Sequence, residues 1–418
     1  MIFFKNEKQT STQPVLDGFM ILTNLWPNML CFFCFNSNQM FEYSFFIITH
    51  YHNLTQAISV FRFDTFHSSY KLPNGFHGHT GCVNSIDHSI FNSVQFLCSG
   101  SDDKTVRIWD IETNKQIQSF TYSNNVCCVK FSPYHYHNHR RNVICSSSID
   151  KKIYFWDVKD NKQFQIFNGH TNSVNCIGFS SFNGGRYLCS GSGDCTICLW
   201  DVETSKTLHY FYGHGDSVSC AGFSPLQSNS NENNSIGVIG GSGYTICSGS
   251  RDKNICVWDV ETTKKLLVFK GHALGVKDIK YGSDELGVSG GTNTILSGSY
   301  DASVRLWDVR SGQQIQLFEG HRGTVMCVEY SPFVVNNKEI GNSNVICSGS
   351  LDNTIRFCDV RSDKRLSILY GDYEEDWGIF CIKFLQLKKE KKSKRNNGRC
   401  CDIGMCYGSG KGPIHVWG

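Results

Sequence analysis

Apolar and polar positions alternate in short bursts along most of this chain, and the bursts recur in phase. The clearest unit reads Cys98-Ser-Gly-Ser-Asp-Asp-Lys-Thr-Val-Arg-Ile-Trp-Asp110. Its apolar runs flank a Ser-Gly-Ser-x-Asp break, which is the pattern of two strands joined by a tight polar turn. Val106, Ile108 and Trp109, like Ile255, Val257 and Trp258 further on, are strand formers. The unit returns at Cys145 to Asp157, Cys189 to Asp201, Cys247 to Asp259, Leu296 to Asp308, Cys347 to Asp359 and, most degraded, Cys406 to Gly418. Each copy predicts a β-hairpin, and seven copies predict a repeat protein.

A second phrase precedes most copies, as in Phe167-Asn-Gly-His-Thr-Asn-Ser-Val-Asn-Cys-Ile-Gly-Phe179, where a Gly-His corner leads into another alternating stretch. With its Gly-His corner, Ser-x-Asp turn and closing Trp-Asp, the sequence resembles the WD40-repeat family over about residues 60 to 418. The resemblance implies an all-β, seven-bladed propeller with four strands per blade. It also implies a buried hydrogen-bond chain in each blade, from Trp to Ser to His to Asp. Complete sets stand at His79, Ser99, Asp103 and Trp109; His170, Ser190, Asp194 and Trp200; His214, Ser248, Asp252 and Trp258; and His272, Ser297, Asp301 and Trp307. The second blade keeps Ser146, Asp150 and Trp156 but has lost its Gly-His. The sixth keeps His321, Ser348 and Asp352 but carries Cys358 in place of Trp, and the seventh keeps only Trp417.

The last copy lacks the strand that follows the others, such as Lys264 to Phe269 or Gln313 to Phe318. Residues 69 to 76, just before Gly78-His79, are expected to supply it and close the ring, leaving no open blade edge. Residues 1 to 59 carry no repeat phrase and are expected to form a poorly ordered or partner-bound extension. Their uncharged stretch from Gly18 to Phe41 is broken by Asn24, Pro27, Asn28 and Asn36, so no clear membrane span is expected, although a membrane-associated segment stays open.

The formal charge of +3 hides a loop, Lys388 to Arg399, that alone carries +6. The remainder is slightly acidic, unlike a protein that coats nucleic acid along its whole surface. The 21 cysteines are largely repeat-phased: Cys128, Cys176, Cys220, Cys327 and Cys381 share one position, and Cys98, Cys145, Cys189, Cys247, Cys347 and Cys406 another. Phased cysteines read as small buried hydrophobes in a reducing, intracellular compartment, cytoplasmic with a nuclear alternative. The pairs Cys31/Cys34 and Cys195/Cys198 lack a second ligand pair, so neither metal nor redox chemistry is expected there.

Gly408-Ser-Gly-Lys-Gly412 lacks the spacing and the Ser or Thr of a phosphate loop, and no cofactor is expected. His135, His137 and His139 would share a face on a strand and could bind metal; a solvated loop is the expectation. The repeated His, Ser and Asp residues are not read as a catalytic triad, because an active site is normally unique.

Insertions at Tyr134 to Asn142, Leu226 to Tyr244, Gly282 to Asn293, Phe333 to Asn344 and Leu385 to Asp402 all fall between the first and second strands of their blades, crowding one face. The opposite face carries the turns, and the family resemblance marks it for partner docking. The residues preceding the turn Asp point there, and Asp102, Ile149, Arg251, Tyr300 and Leu351 are the candidate contacts. The expected function is a non-catalytic scaffold, a monomeric propeller within a complex of other proteins. An alternative is a propeller that recognises RNA or an anionic surface through 388–399.

Overall fold

The computed structural model describes residues 75–224, 244–282, 294–337, 341–386 apart from 363 and 373, and 403–417, together with the strands Gly18–Leu22, Cys31–Asn36, Gln39–Tyr43 and Phe61–Arg62. The chain divides into two compact units, Met1–Ser59 and Val60–Gly418. In the first, the three described strands form an antiparallel sheet in sequence order.

The second unit is a seven-bladed β-propeller. Blade one is Val83–Phe91, Val94–Ser101, Thr105–Asp110 and Lys115–Thr121, an antiparallel meander in sequence order. Blades two to six repeat it, beginning at Val126, Val174, Val218, Val276 and Val325, and blade seven begins at Ile379. First strands of successive blades touch, and that of blade seven touches that of blade one, so the ring is closed. Blade seven has three strands of its own among the described residues. Phe76 pairs with Ile414 through two backbone hydrogen bonds of 2.8 and 3.1 Å, tying the start of blade one's corner to the last strand. Of the expected closing strand 69–76, residues 69–74 lie outside the described residues.

The core is distributed rather than central. Seven apolar clusters each fill the wedge between two neighbouring blades. In the wedge between blades three and four, Cys189, Ile197, Leu199 and Phe211 pack against Val218, Ile246, Cys256 and Trp258. The phased cysteines Cys98, Cys145, Cys189, Cys247, Cys347 and Cys406 are all buried in such wedges. A sheet that is apolar on both faces needs a neighbour on each side, and only a ring gives every blade two.

In the turn between second and third strands, the residue after the turn Asp adopts positive φ in six blades: Lys104, Lys151, Cys195, Lys253, Ala302 and Asn353, at 62 to 74°. In blade seven Gly412 takes that place at 113°. Because every blade is a meander, these turns and the Gly-His corners emerge at one end, and the first-to-second connections at the other.

Two insertions depart from expectation. The segment with His135, His137 and His139 is not a solvated loop but a short helix, Pro133–His139, entered with proline at its first turn and left through Arg140 at φ 51°. Tyr134 and His135 are buried beneath it. Residues 333–337 and 341–344 continue their strands: Val325–Asn337 pairs with Gly341–Ser350 beyond a register shift, and Phe61–Arg62 adds to it in parallel. The insertions at 226–243, 283–293 and 387–402, including the basic loop, lie outside the described residues.

Candidate functional site

In blade one, Trp109 Nε1 donates to Ser99 Oγ at 2.9 Å, Ser99 Oγ lies 2.7 Å from His79 Nε2, and His79 Nδ1 lies 2.8 Å from Asp103 Oδ2. Burial would raise the Asp103 carboxyl, but hydrogen bonds from His79 and Thr105 outweigh it and hold the carboxyl well below its usual range. An ionised carboxylate can only accept, so the proton sits on Nδ1, and Nε2 accepts from the serine hydroxyl. One directed chain of hydrogen bonds thus runs from indole to carboxylate. Burial pushes the His79 pKa down, against the opposing pull of Asp103.

The same chain stands in blade three (Trp200, Ser190, His170, Asp194), blade four (Trp258, Ser248, His214, Asp252) and blade five (Trp307, Ser297, His272, Asp301), each link at 2.8 or 2.9 Å. Blade six keeps the links from Ser348 and Asp352 to His321 at 2.9 Å, with Cys358 on the third strand where the others have Trp. The serine hydroxyls are buried and committed to His in five blades and also to Trp in four. Each complete chain ties the second and third strands, the turn between them and the Gly-His corner of its blade together, which makes the blade rigid.

Blades two and seven are rebuilt around residues that sequence reasoning missed. In blade two the Tyr122 hydroxyl lies 2.5 Å from Ser146 Oγ, the place of the absent His, and its ring packs on Trp156. Asp150 accepts from Tyr154 at 2.5 Å and from Ser123 at 2.9 Å. In blade seven a fully buried Asp376 accepts from Tyr407 at 3.1 Å and from the Asp372 backbone at 2.6 Å, with His415 Nε2 2.7 Å away. Trp417 packs against the wedge between blades six and seven. The signal for Asp376 was present: three extra residues separate Gly371-Asp372 from Ile379 compared with the other corners, so the corner had to be refolded.

Around the axis runs a channel holding a cavity of about 480 Å³. The fifth residue of each first strand forms a ring of Asp87, Lys130, Gly178, Gly222, Lys280, Glu329 and Lys383. Asp87 lies 3.6 Å from both Lys130 and Lys383, and Lys280 lies 3.2 Å from Glu329. Burial works to raise the Asp87 carboxyl, but the two ammonium groups more than offset it and hold it low. Asp278 accepts from the Ile279 and Val328 backbones at 2.9 and 3.0 Å, and burial leaves its carboxyl raised. Cys128, Cys176, Cys220, Cys327 and Cys381 line the same channel.

The turn end of the ring carries the candidate contacts, but not alike. Asp102 is tied down by Asn84 at 2.7 Å and Asn125 at 3.0 Å, whereas Ile149, Arg251 and Leu351 are exposed and Tyr300 is half-buried with Arg251 over its ring at 5.9 Å. Exposed Trp377 and Leu274, and Phe380 and Met326 at the channel mouth, belong to this end and were not among the sequence candidates. Trp377 follows the rebuilt corner, where the repeat alignment offers no counterpart.

The family model described as WD domain, G-beta repeat matches residues 70–110, 114–157, 161–201, 205–259, 263–308 and 312–359. The degraded seventh blade falls outside those matches. The chain is 36% identical over 208 residues to the U5 small nuclear ribonucleoprotein 40 kDa protein of Pongo abelii, spanning 50% of this chain and 54% of that protein. It is 41% identical over 58 residues to the ribosome biogenesis protein BOP1 homolog of Drosophila mojavensis and 38% over 56 residues to that of Arabidopsis thaliana. Those matches span 14% and 13% of this chain and 7% of each relative. The chain thus spans about half the length of the first relative and a small part of the others.

Proposed function

Because this chain belongs to the WD40-repeat family, we propose that it is a non-catalytic scaffold whose partner proteins dock on the end of the ring that carries the turns and Gly-His corners. The observation that carries this reading is the exposure of Leu351, Arg251 and Ile149 at turn tips of a framework otherwise held rigid by buried hydrogen-bond chains. A rigid surface loses little conformational freedom on binding, which favours docking over induced fit. The named relatives support assembly within a multi-protein complex concerned with RNA, and nuclear residence with it.

The test is affinity purification with mass spectrometry on three forms: the intact chain, Arg251→Ala/Tyr300→Ala/Leu351→Ala, and a form lacking Lys388 to Arg399. Loss of specific proteins from the triple variant alone supports docking at the turn end. If only the loop deletion loses material, and that material is RNA, the scaffold reading fails and recognition of an anionic polymer replaces it.

A further inference from the structure

The turn end is divided into two unlike halves. Over blades one to four its polar side chains satisfy one another: Asn84 and Asn125 donate to Asp102, Asn175 donates to Ser217 at 3.0 Å, and Ser173 donates to Asn175 at 3.1 Å. Ile149 and Tyr212, the latter beside the Gly213-His214 corner, are the exposed large apolar residues on that side among the described residues.

Over blades five to seven, exposed apolar residues stand at the turn end beside the cation of Arg322. Leu274, Leu351 and Trp377 are exposed at 49, 44 and 71%. A Cβ on Gly378 would lie 3.0 Å from Leu351 Cδ2 and 3.6 Å from Phe380 Cε2, and one on Gly410 would lie 3.0 Å from Phe380 and 2.7 Å from the Trp377 carbonyl. Bare glycines therefore leave room for Leu351 and Phe380 side by side, and exposed Trp377 immediately precedes Gly378 in the same corner. Phe380 and Met326 continue to the channel mouth, where Tyr300, Arg251 and Lys277 also stand.

The ends of this crescent differ in charge. Arg251 and Lys277 make the blade-four and blade-five end positive. At the other end exposed Glu374 and Glu375 precede Trp377, with Lys411 over the Trp377 ring at 4.8 Å and bonded to the Glu374 carbonyl, so acidic groups prevail. An apolar strip with opposite charges at its ends selects an occupant with the same pattern reversed.

We infer that the occupant of this crescent is a protein segment that buries apolar side chains against Leu351, Phe380 and Trp377, sets a carboxylate against Arg251 and Lys277, and sets a cationic side chain against Glu374 and Glu375. This rests on the scaffold reading and narrows it to one half of the turn end and one partner chemistry.

The test selects binders to the intact protein from a displayed library of random 16-residue peptides, then measures the enriched peptides by fluorescence anisotropy. The expected peptides carry two or more apolar residues between an acidic and a basic end. Their affinity falls at least tenfold with Trp377→Ala and with Leu351→Ala, and is unchanged with Ile149→Ala. Arg251→Glu weakens them similarly, and replacing the peptide's acidic residue by Lys restores binding to that variant. All four positions are at the surface, and thermal melts verify that the variants fold. The inference is overturned if no peptide is enriched, if enriched peptides lack the charge pattern, if Ile149→Ala weakens them as much, or if a random 20-nucleotide RNA displaces them. Should the purification experiment capture proteins lost on Ile149→Ala but not on Trp377→Ala, the scaffold reading stands and this inference alone fails.

Discussion

A Cβ at Gly191 would lie 2.5 Å from Cγ1 of Val218 and 2.8 Å from Cys176 Sγ. Gly191 is in blade three and Val218 opens blade four, so the Gly of the Ser-Gly-Ser phrase is where one blade presses on the next. Gly100, Gly249, Gly298, Gly349 and Gly408 meet the first residue of the following blade in the same way, at 2.6 to 2.7 Å. Val218 is fully buried and its β-branched side chain is stiff at χ1. Gly191→Ala is therefore expected to lower unfolding free energy by about 1–3 kcal/mol through overpacking, read as a lower urea midpoint with an unchanged slope.

Blade two breaks that rule, and the same substitution logic changes sign there. Ser147 occupies the glycine position, fully buried, and its hydroxyl has no hydrogen-bond partner. Ser147→Ala keeps the Cβ that this wedge already accommodates and removes the orphaned hydroxyl. A stability gain of about 1 kcal/mol is expected, visible as a raised melting temperature, and a loss would show that the hydroxyl has a role in the wedge.

These two positions show how far the sequence could be read. Phased repetition made the blades and the four complete Trp-Ser-His-Asp chains legible, because a repeat states each role several times. Where a blade departs from the repeat, the pattern is silent about what replaces the missing member. Tyr122 follows the lost Gly-His by position, yet only packing decides that its hydroxyl reaches Ser146. Asp376 and His415 are brought together by a corner three residues longer than the rest, and no local spacing encodes that meeting. Trp377 is hidden for the same reason, since an exposed aromatic in a singular corner has no repeat to measure it against.

The helix over blade two gives a pH dependence. Burial, reinforced by His139 and Arg141, pushes the His135 pKa down to about 4. The folded state then binds fewer protons than the unfolded chain, whose histidine titrates near 6.5. The contribution is complete above pH ~6.5 and is lost as pH falls toward 4, by about 2 kcal/mol after allowance for partial solvent screening. The Asp103, Asp194, Asp252, Asp301 and Asp352 carboxyls are also held low, so their contributions fade only below the ordinary carboxylate range, at more acid pH. His135→Phe keeps a ring against Phe155 and Phe164, which lie 5.8 and 5.3 Å away. Its stability should therefore vary less than wild type between pH 6.5 and 4 in urea titrations, and an equal slope in both proteins would refute the assignment.

Blade seven offers the sharpest test of how the ring is closed. Asp376 has no exposed surface, and its carboxylate gathers the Tyr407 hydroxyl, the Asp372 backbone and His415 on the last strand, the same strand that pairs with Phe76. Asp376→Ala would remove the acceptor of the Tyr407 hydroxyl and of the Asp372 backbone N–H, at a cost of about 1–3 kcal/mol for a buried group left unpaired. Because each blade packs chiefly on its neighbours, the damage should begin locally. Amide exchange in 403–417 and at Phe76 is expected to accelerate before that of blades three and four, and uniform acceleration round the ring would mean that the propeller opens as a single unit.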